Sequence, residues 1–457
     1  MANTASLVCL HGLGLSAHLF DPVAAELGDG FDVLALDLPG FGGAPAPAGT
    51  SVAATADAVV QAIVEHAPAR WLLVGHSMGG KIASVVARRA LDGEPGLFGF
   101  AGVVLLAGSP PSPEPMDDDQ RATMLGWAAD GPLSAQAART FVDDNVGAPL
   151  PADLDALALG DLQRCSREAW VAWLERGSRE DRSTEVGTLD VPALILAGGA
   201  DGPLGEDGQR RCNAPVYPRA QVVTLPGAGH LLPLERPREV ADAITRFWRE
   251  HAGRGPAVPP GWVRAIASER VSTRTRGILA ERALADDPAY RPSVLDDAQL
   301  RTLRLLAELV VPQDGGPDER IDLAARVDAQ LAAGGGDGWR HDTLPPDVEA
   351  YRAALDALGD LAELGPDEQH DRLEALADGT FTDGTGTPVA SSLSAAQLAL
   401  WFEDARSDLA LLWVAHPATM AAVGFDGYLT GAGGRRLLGW QLLGAGEREQ
   451  WEPAGIA

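Results

Sequence analysis

Short apolar runs punctuate the first half of the chain, at 7–10, 31–36, 71–74, 103–107, 192–197 and 221–225. Segments with helical patterning fill most of the intervals between them. Strands that alternate with helices predict right-handed βαβ units and a mostly parallel sheet, an α/β fold class. The rhythm breaks between the fourth and fifth runs, where about 80 residues carry no strong strand. That stretch opens on a Pro/Asp-rich segment, 109–119, and continues with helical patterns holding Trp127, Phe141, Trp170 and Trp173. An insertion there lies over the carboxyl ends of the strands, where open α/β sheets bind ligands. Residues from about 113 to 188 are therefore expected to form a helical cap. An ordinary pair of packing helices, with the aromatics as core, is the alternative.

The pattern changes after Trp248. Residues 253–261 (GRGPAVPPG) are rich in Pro and Gly and read as a linker. Beyond them the strand signal disappears. Leu300, Leu303, Leu306, Ala307 and Val310 recur at helical spacing, and Pro312 ends the run. Helical patterns also cover 321–332, 348–364 and 395–414. The expected organisation is an α/β domain over 1–252, a linker over 253–261 and a mainly α-helical domain over 262–457, without internal repeats.

Composition fits two domains, since 457 residues exceed one ordinary core. The formal net charge of −28 argues against nucleic acid and anionic membranes as partners. No apolar run reaches membrane-spanning length. The chain enters a strand almost at once, with no basic region and apolar core before it, so the expected compartment is the cytoplasm. Cys9, Cys165 and Cys212 are scattered and make neither a disulfide framework nor a metal set, and no cofactor is expected. Lys81 is the only lysine, which leaves little scope for covalent lysine chemistry.

The candidate chemistry lies at Gly75-His76-Ser77-Met78-Gly79. A strand pattern precedes it and a helix pattern follows it, the context that makes a G-x-S-x-G match a nucleophile elbow. A serine hydroxyl needs a base, and the base needs an orienting acid. His230, just after the last strand, is the candidate base. Asp201, at the end of the preceding strand, is the candidate acid, with Asp207 nearby on the same loop as the competitor. The interval between Asp201 and His230 has room for one helix and one strand, which would set two consecutive strand ends side by side. An oxyanion needs two backbone N–H donors, one from Met78 and one from the HGLG loop (11–14), with Leu13 the candidate. His11 and Gly12 of that loop, with Trp127 and Trp170 of the cap, are the candidate substrate contacts. His11 is expected chiefly to shape the loop, His76 to pack in the elbow and His18 to lie at the rim or in solvent.

Residues 5–250 resemble the α/β-hydrolase superfamily through HGLG (11–14), DLPGFG (37–42), GHSMGG (75–80), the strand-end Asp201 and GAGHLLPLERP (227–237). The order Ser77, Asp201, His230 is that superfamily's order. The chain departs from the pattern in starting directly at the HGLG strand, without the usual first hairpin. The resemblance implies ester-type hydrolysis through an acyl-enzyme, in a superfamily that also holds lactonases, haloperoxidases and C–C bond hydrolases. Ser77 argues against epoxide hydrolases and dehalogenases, where Asp or Glu is expected at the nucleophile.

Residues 300–452 resemble the gluconate 2-dehydrogenase subunit 3 family, through LRLLAELVVPQD (303–314), IDLAARVDAQL (321–331) and GAGGRRLLGWQLLG (431–444). That resemblance implies a non-catalytic helical partner of a flavin-dependent dehydrogenase of the glucose–methanol–choline group. Such partners often carry a twin-arginine signal. None opens this chain, so a periplasmic location would need a signal-bearing partner. Trp339, Trp401, Trp413, Trp440 and Trp451 are expected as helical core, with a binding face as the alternative. The combined expectation is a serine esterase or lactonase tethered to a dehydrogenase-binding module. A non-catalytic assembly subunit, or a C–C hydrolase with the same triad, are the alternatives.

Overall fold

The computed structural model describes residues 5–46, 50–335, 341–382 and 391–428. Six parallel strands form one sheet: β1 (Ala5–Leu10), β2 (Phe31–Leu36), β3 (Trp71–His76), β4 (Phe100–Leu106), β5 (Ala193–Gly198) and β6 (Ala220–Leu225), in the order β2-β1-β3-β4-β5-β6. Every residue of β1, β3, β4 and β5 is buried, whereas the edge strands β2 and β6 are mostly half-exposed. Helices on both faces of a parallel sheet demand this, and it is why the inner strands read as continuous apolar runs. The chain leaves β1 for one edge, at β2, then returns to β3 on the other side of β1. The strand order therefore reverses between β1 and β3, the place where doubly wound sheets open a ligand crevice at their carboxyl ends.

The interval between β4 and β5 holds helices Asp118–Trp127, Ala135–Asn145, Ala152–Arg164 and Arg167–Ala172. Asp117, Ser134 and Ser166 cap three of them by accepting backbone N–H bonds in the first turn. Trp170 is fully buried and donates its indole N–H to Met124 O, with Trp127 and Phe141 packed beside it. Phe141 and Trp173 are also buried.

The contacts divide the chain into two compact units. The first takes in residues up to Gly253, Val258–Ala285 and the end of the described chain from Asp426. The second comprises Arg254–Ala257 and Asp286–Phe425. Residues 258–285, placed by the sequence pattern partly in the linker and partly in the helical domain, fall here in the first unit. There Arg276, 1% exposed, donates to the carbonyls of Gly93, Ser268 and Val271. The pairing with Gly93 ties the helix Thr273–Ala283 to the chain just beyond the end of the helix Met78–Leu91.

The second unit is helical by itself, with Asp297–Val310, Leu323–Ala332, Asp347–Ala357, Pro366–Ala377 and Ala395–Val414 as its longer elements. Its core gathers Leu303, Leu306, Tyr351, Trp401 and Leu409, with the Tyr351 and Trp401 rings edge-on at 5.5 Å. The pattern over 348–364 is not one helix: it stops at Ala357, and a single 3-10 turn follows at Leu361–Glu363. Gly359 lies at the break. Buried Asp328 accepts from Tyr290 Oη and from the backbone N–H groups of Ser293, Val294 and Leu295, and so pins the segment before Asp297. Trp401 is core and Trp413 half-buried, while Trp339, Trp440, Trp451 and the motif 431–444 lie outside the described residues. No helix among the described residues is long and apolar enough to cross a membrane.

Candidate active site

β3 ends at His76, and the next helix begins at Met78. Ser77 alone makes the turn, with φ 48° and ψ −120°. A non-glycine residue there carries strain of about 1–3 kcal/mol. Neighbouring bonds hold it: Ser77 N–H donates to Leu106 O (3.1 Å), and Ser77 O accepts from Gly80 and Ser109 N–H (both 2.8 Å). The flanking glycines are steric requirements. A Cβ on Gly79 would lie 2.2 Å from Leu10 O, and one on Gly75 2.6 Å from Gly79 O. Only bare backbone lets the first turn of the helix Met78–Leu91 pack this closely on the ends of β1 and β3.

Asp201 and His230 come from the loops after β5 and β6. The end of β5 meets the loop after β6: a Cβ on Gly198 would sit 1.9 Å from Gly229 O. His230 Nδ1–H donates to Asp201 Oδ2 at 2.8 Å, with both side chains almost buried. This partner assigns the proton to Nδ1 and leaves Nε2 as the acceptor. The main chain around His230 is firmly held. Asn145 O accepts from His230 and Leu231 N–H, the Glu235 carboxylate accepts from Gly229 and Leu231 N–H, and His76 Nε2–H donates to His230 O. Asp207 is exposed on the following helix, so of the two candidate acids it is Asp201 that meets His230.

Burial alone would lower the pKa of His230, but the Asp201 charge and hydrogen bond outweigh it, and the net shift is upward from 6.5. For Asp201, burial pushes the pKa up, while the His230 charge and hydrogen bond bring it below the ordinary carboxylate value. The other two histidines near the site stay neutral. Burial drives His76 down to about 3 and His11 to about 4. His11 Nε2 accepts from Leu38 N–H and its Nδ1–H donates to Gly12 O, so it shapes the loop after β1. As the candidate base, His230 can accept a proton only in its neutral form. The acid limb of kcat/KM for hydrolysis is therefore expected at an apparent pKa above 6.5, with a tenfold fall per pH unit below it, as a pH–rate profile would show.

Ser77, Asp201 and His230 line one cleft of about 80 Å³, together with Leu13. Met78, the first residue of its helix, has an N–H without an intrahelical acceptor, and no protein acceptor is found for Leu13 N–H among the described residues. Glu114, Met116, Met124, Phe141, Asn145 and Trp173 complete much of the wall. The other candidate substrate contacts do not reach it. Trp170 is engaged among the helices between β4 and β5 and Trp127 packs against it, His11 is fully buried under the loop, and Gly12 offers only backbone, since a Cβ there would meet Ser77 Cβ at 2.9 Å. His18 is exposed and paired with Asp21. Sequence reasoning missed Glu114 and Asn145. Glu114 sits in a segment that reads only as Pro/Asp-rich loop, and Asn145 acts through its main-chain carbonyl, which leaves no side-chain signal.

Residues 7–243 match the model of the Alpha/beta hydrolase family. The chain is 31% identical over 195 residues to the pimeloyl-[acyl-carrier protein] methyl ester esterase of Neisseria meningitidis serogroup B / serotype 15 (strain H44/76), a match covering 42% of this chain and 73% of the relative. Among solved structures, a thermophilic esterase from Thermogutta terrifontis is 24% identical with a TM-score of 0.46, covering 54% of this chain and 89% of that one. The enol-lactonase from Burkholderia xenovorans LB400 is 22% identical with a TM-score of 0.46, covering 54% and 92%.

Proposed function

Because the chain belongs to the alpha/beta hydrolase family over residues 7–243, we propose that it hydrolyses a carboxylic ester or lactone through an acyl-enzyme on Ser77. One observation carries the reading: the buried Asp201–His230 pair, 2.8 Å apart, shares a cleft with a serine held on a positive-φ elbow. His230 Nε2 takes the Ser77 proton as Oγ attacks the carbonyl. The N–H groups of Met78 and Leu13 receive the oxyanion, and losing one such donor costs on the order of a hundred- to a thousandfold in rate. Collapse breaks the C–O bond, and His230 returns the proton to the leaving alkoxide. Water, deprotonated by the same histidine, then releases the acid and frees Ser77. In a lactone the leaving alcohol stays attached, and the product is a hydroxy acid. The esterase activity named for the Neisseria relative supports the ester class.

The helical unit is proposed as a docking module for a flavin-dependent dehydrogenase of the glucose–methanol–choline group. Two of the three stretches behind that resemblance, 303–314 and 321–331, fall largely on the helices Asp297–Val310 and Leu323–Ala332. The tether suggests a substrate. Oxidation of a cyclic hemiacetal yields a lactone, which the hydrolase would open. Saturating aldonolactone is expected to open well above its spontaneous rate with the wild-type chain and at that rate with Ser77→Ala. No acceleration by the wild type would overturn the lactone assignment.

A further inference from the structure

The cleft contains a carboxylate that hydrolysis itself does not use. Apart from Asp201, which is engaged with His230, Glu114 is the one acidic side chain in the wall among the described residues. Its position is fixed at both ends. Ser109 N–H, five residues upstream, is bonded to Ser77 O, and Glu114 N–H donates to Ser178 O at 2.7 Å. Ser178 O is itself anchored, because Lys81, the chain's only lysine, donates from Nζ to the carbonyls of Gly177, Ser178 and Glu180. Arg121 holds the Ser178 hydroxyl and Leu174 O. The loop that carries Glu114 is thus fastened to the helix following the nucleophile.

Only half of the Glu114 carboxylate is satisfied. Oε2 accepts from Ser109 Oγ at 2.7 Å, and no protein donor meets Oε1 among the described residues. Lys81, His230 and Arg121 face it with positive or potentially positive charge. Burial nonetheless outweighs these charges and raises the Glu114 pKa above the ordinary carboxylate value, so a further hydrogen-bond donor is the stabilising partner this carboxylate lacks. A substrate carboxylate would meet repulsion at the same place.

We propose that Glu114 determines specificity in this cleft: Oε1 accepts a hydrogen bond from a substrate hydroxyl, so that hydroxylated esters and lactones are preferred over their deoxy counterparts. The inference rests on the hydrolase reading above. Glu114 is half-buried in the free cleft, and a bound substrate would close Oε1 off from water; an analogue without the hydroxyl would then leave it unpaired. Gln120 and Asn145 extend the polar part of the wall, while Met116, Met124 and Trp173 supply the apolar part that a carbon chain would occupy.

Two matched pairs, followed by pH-stat, test both sides of the ester: methyl 3-hydroxybutyrate against methyl butyrate, and 2-hydroxyethyl butyrate against ethyl butyrate. In at least one pair the wild type is expected to favour the hydroxylated ester at least tenfold in kcat/KM. Glu114→Leu should bring that ratio to within about twofold of unity, and Glu114→Gln, which keeps an acceptor, should retain most of it. The ratio cancels any general loss of active enzyme, and fluorophosphonate labelling of Ser77 counts the competent sites. A labelled Ser77 with no hydroxyl preference, or with one that survives Glu114→Leu, overturns this inference alone. A folded protein that leaves Ser77 unlabelled overturns the hydrolase reading and this inference with it.

Discussion

Replacing Ser77 by alanine is expected to lower kcat for ester hydrolysis on the order of a millionfold, with the fold retained. The hydroxyl is the only group lost. Alanine has the same Cβ, so the turn at φ 48° meets no new clash, and the main-chain bonds to Leu106, Gly80 and Ser109 do not involve the side chain. The proposed oxyanion donors, the N–H groups of Met78 and Leu13, survive as well. The variant should therefore bind ester and show an unchanged thermal midpoint while failing to form an acyl-enzyme. Single-turnover kinetics with a chromogenic ester, beside a melting curve, separate these outcomes. A variant that unfolds would assign Ser77 to the architecture instead.

Asp201→Asn is expected to lower kcat about ten-thousandfold. The carboxylate is 7% exposed and accepts the Nδ1–H of His230. An asparagine of the same shape can turn its NH2 toward the ring. The proton then moves to Nε2, the nitrogen that must receive the serine proton, and the base is lost without any change in packing. The same substitution removes the charge that raises the pKa of His230, so the acid limb of the residual activity should move to lower pH. Asp207→Asn is the matched control. Asp207 is exposed with no histidine partner, and its replacement should change kcat less than twofold if the geometry of the Asp201–His230 pair is what matters.

The sheet was legible in the sequence because its inner strands are buried on both faces and must be continuous apolar runs. Even the edge strand β6, half-exposed as it is, keeps Val222, Val223 and Leu225 in its pattern. The elbow was legible for a different reason: Gly75 and Gly79 are fixed by backbone approaches that no side chain tolerates, so the pattern itself records the geometry. The cap was harder. Trp127, Phe141, Trp170 and Trp173 look alike as aromatics on helices, and only the docking of those helices decides which side each ring faces. Phe141 and Trp173 reach the cleft, whereas Trp170 donates its N–H to Met124 O in the interior. Lys81 stood out by its rarity. Its role as a buried donor to three carbonyls of 177–180 depends on a segment nearly a hundred residues away, and nothing local announces it. In the helical unit the spacing over 348–364 favours one long helix, yet Gly359 and the turn at Leu361–Glu363 end it early, since glycine weakens a helix where packing no longer supports it.

Ser77 is proposed here as a nucleophile activated by the Asp201–His230 pair. Intact mass after reaction with a fluorophosphonate, followed by peptide mapping, tests it most directly. One adduct per folded chain is expected, located on Ser77, absent in Ser77→Ala and formed far more slowly in Asp201→Asn. A folded wild-type chain that takes up no adduct, or takes it up at another residue, would contradict it.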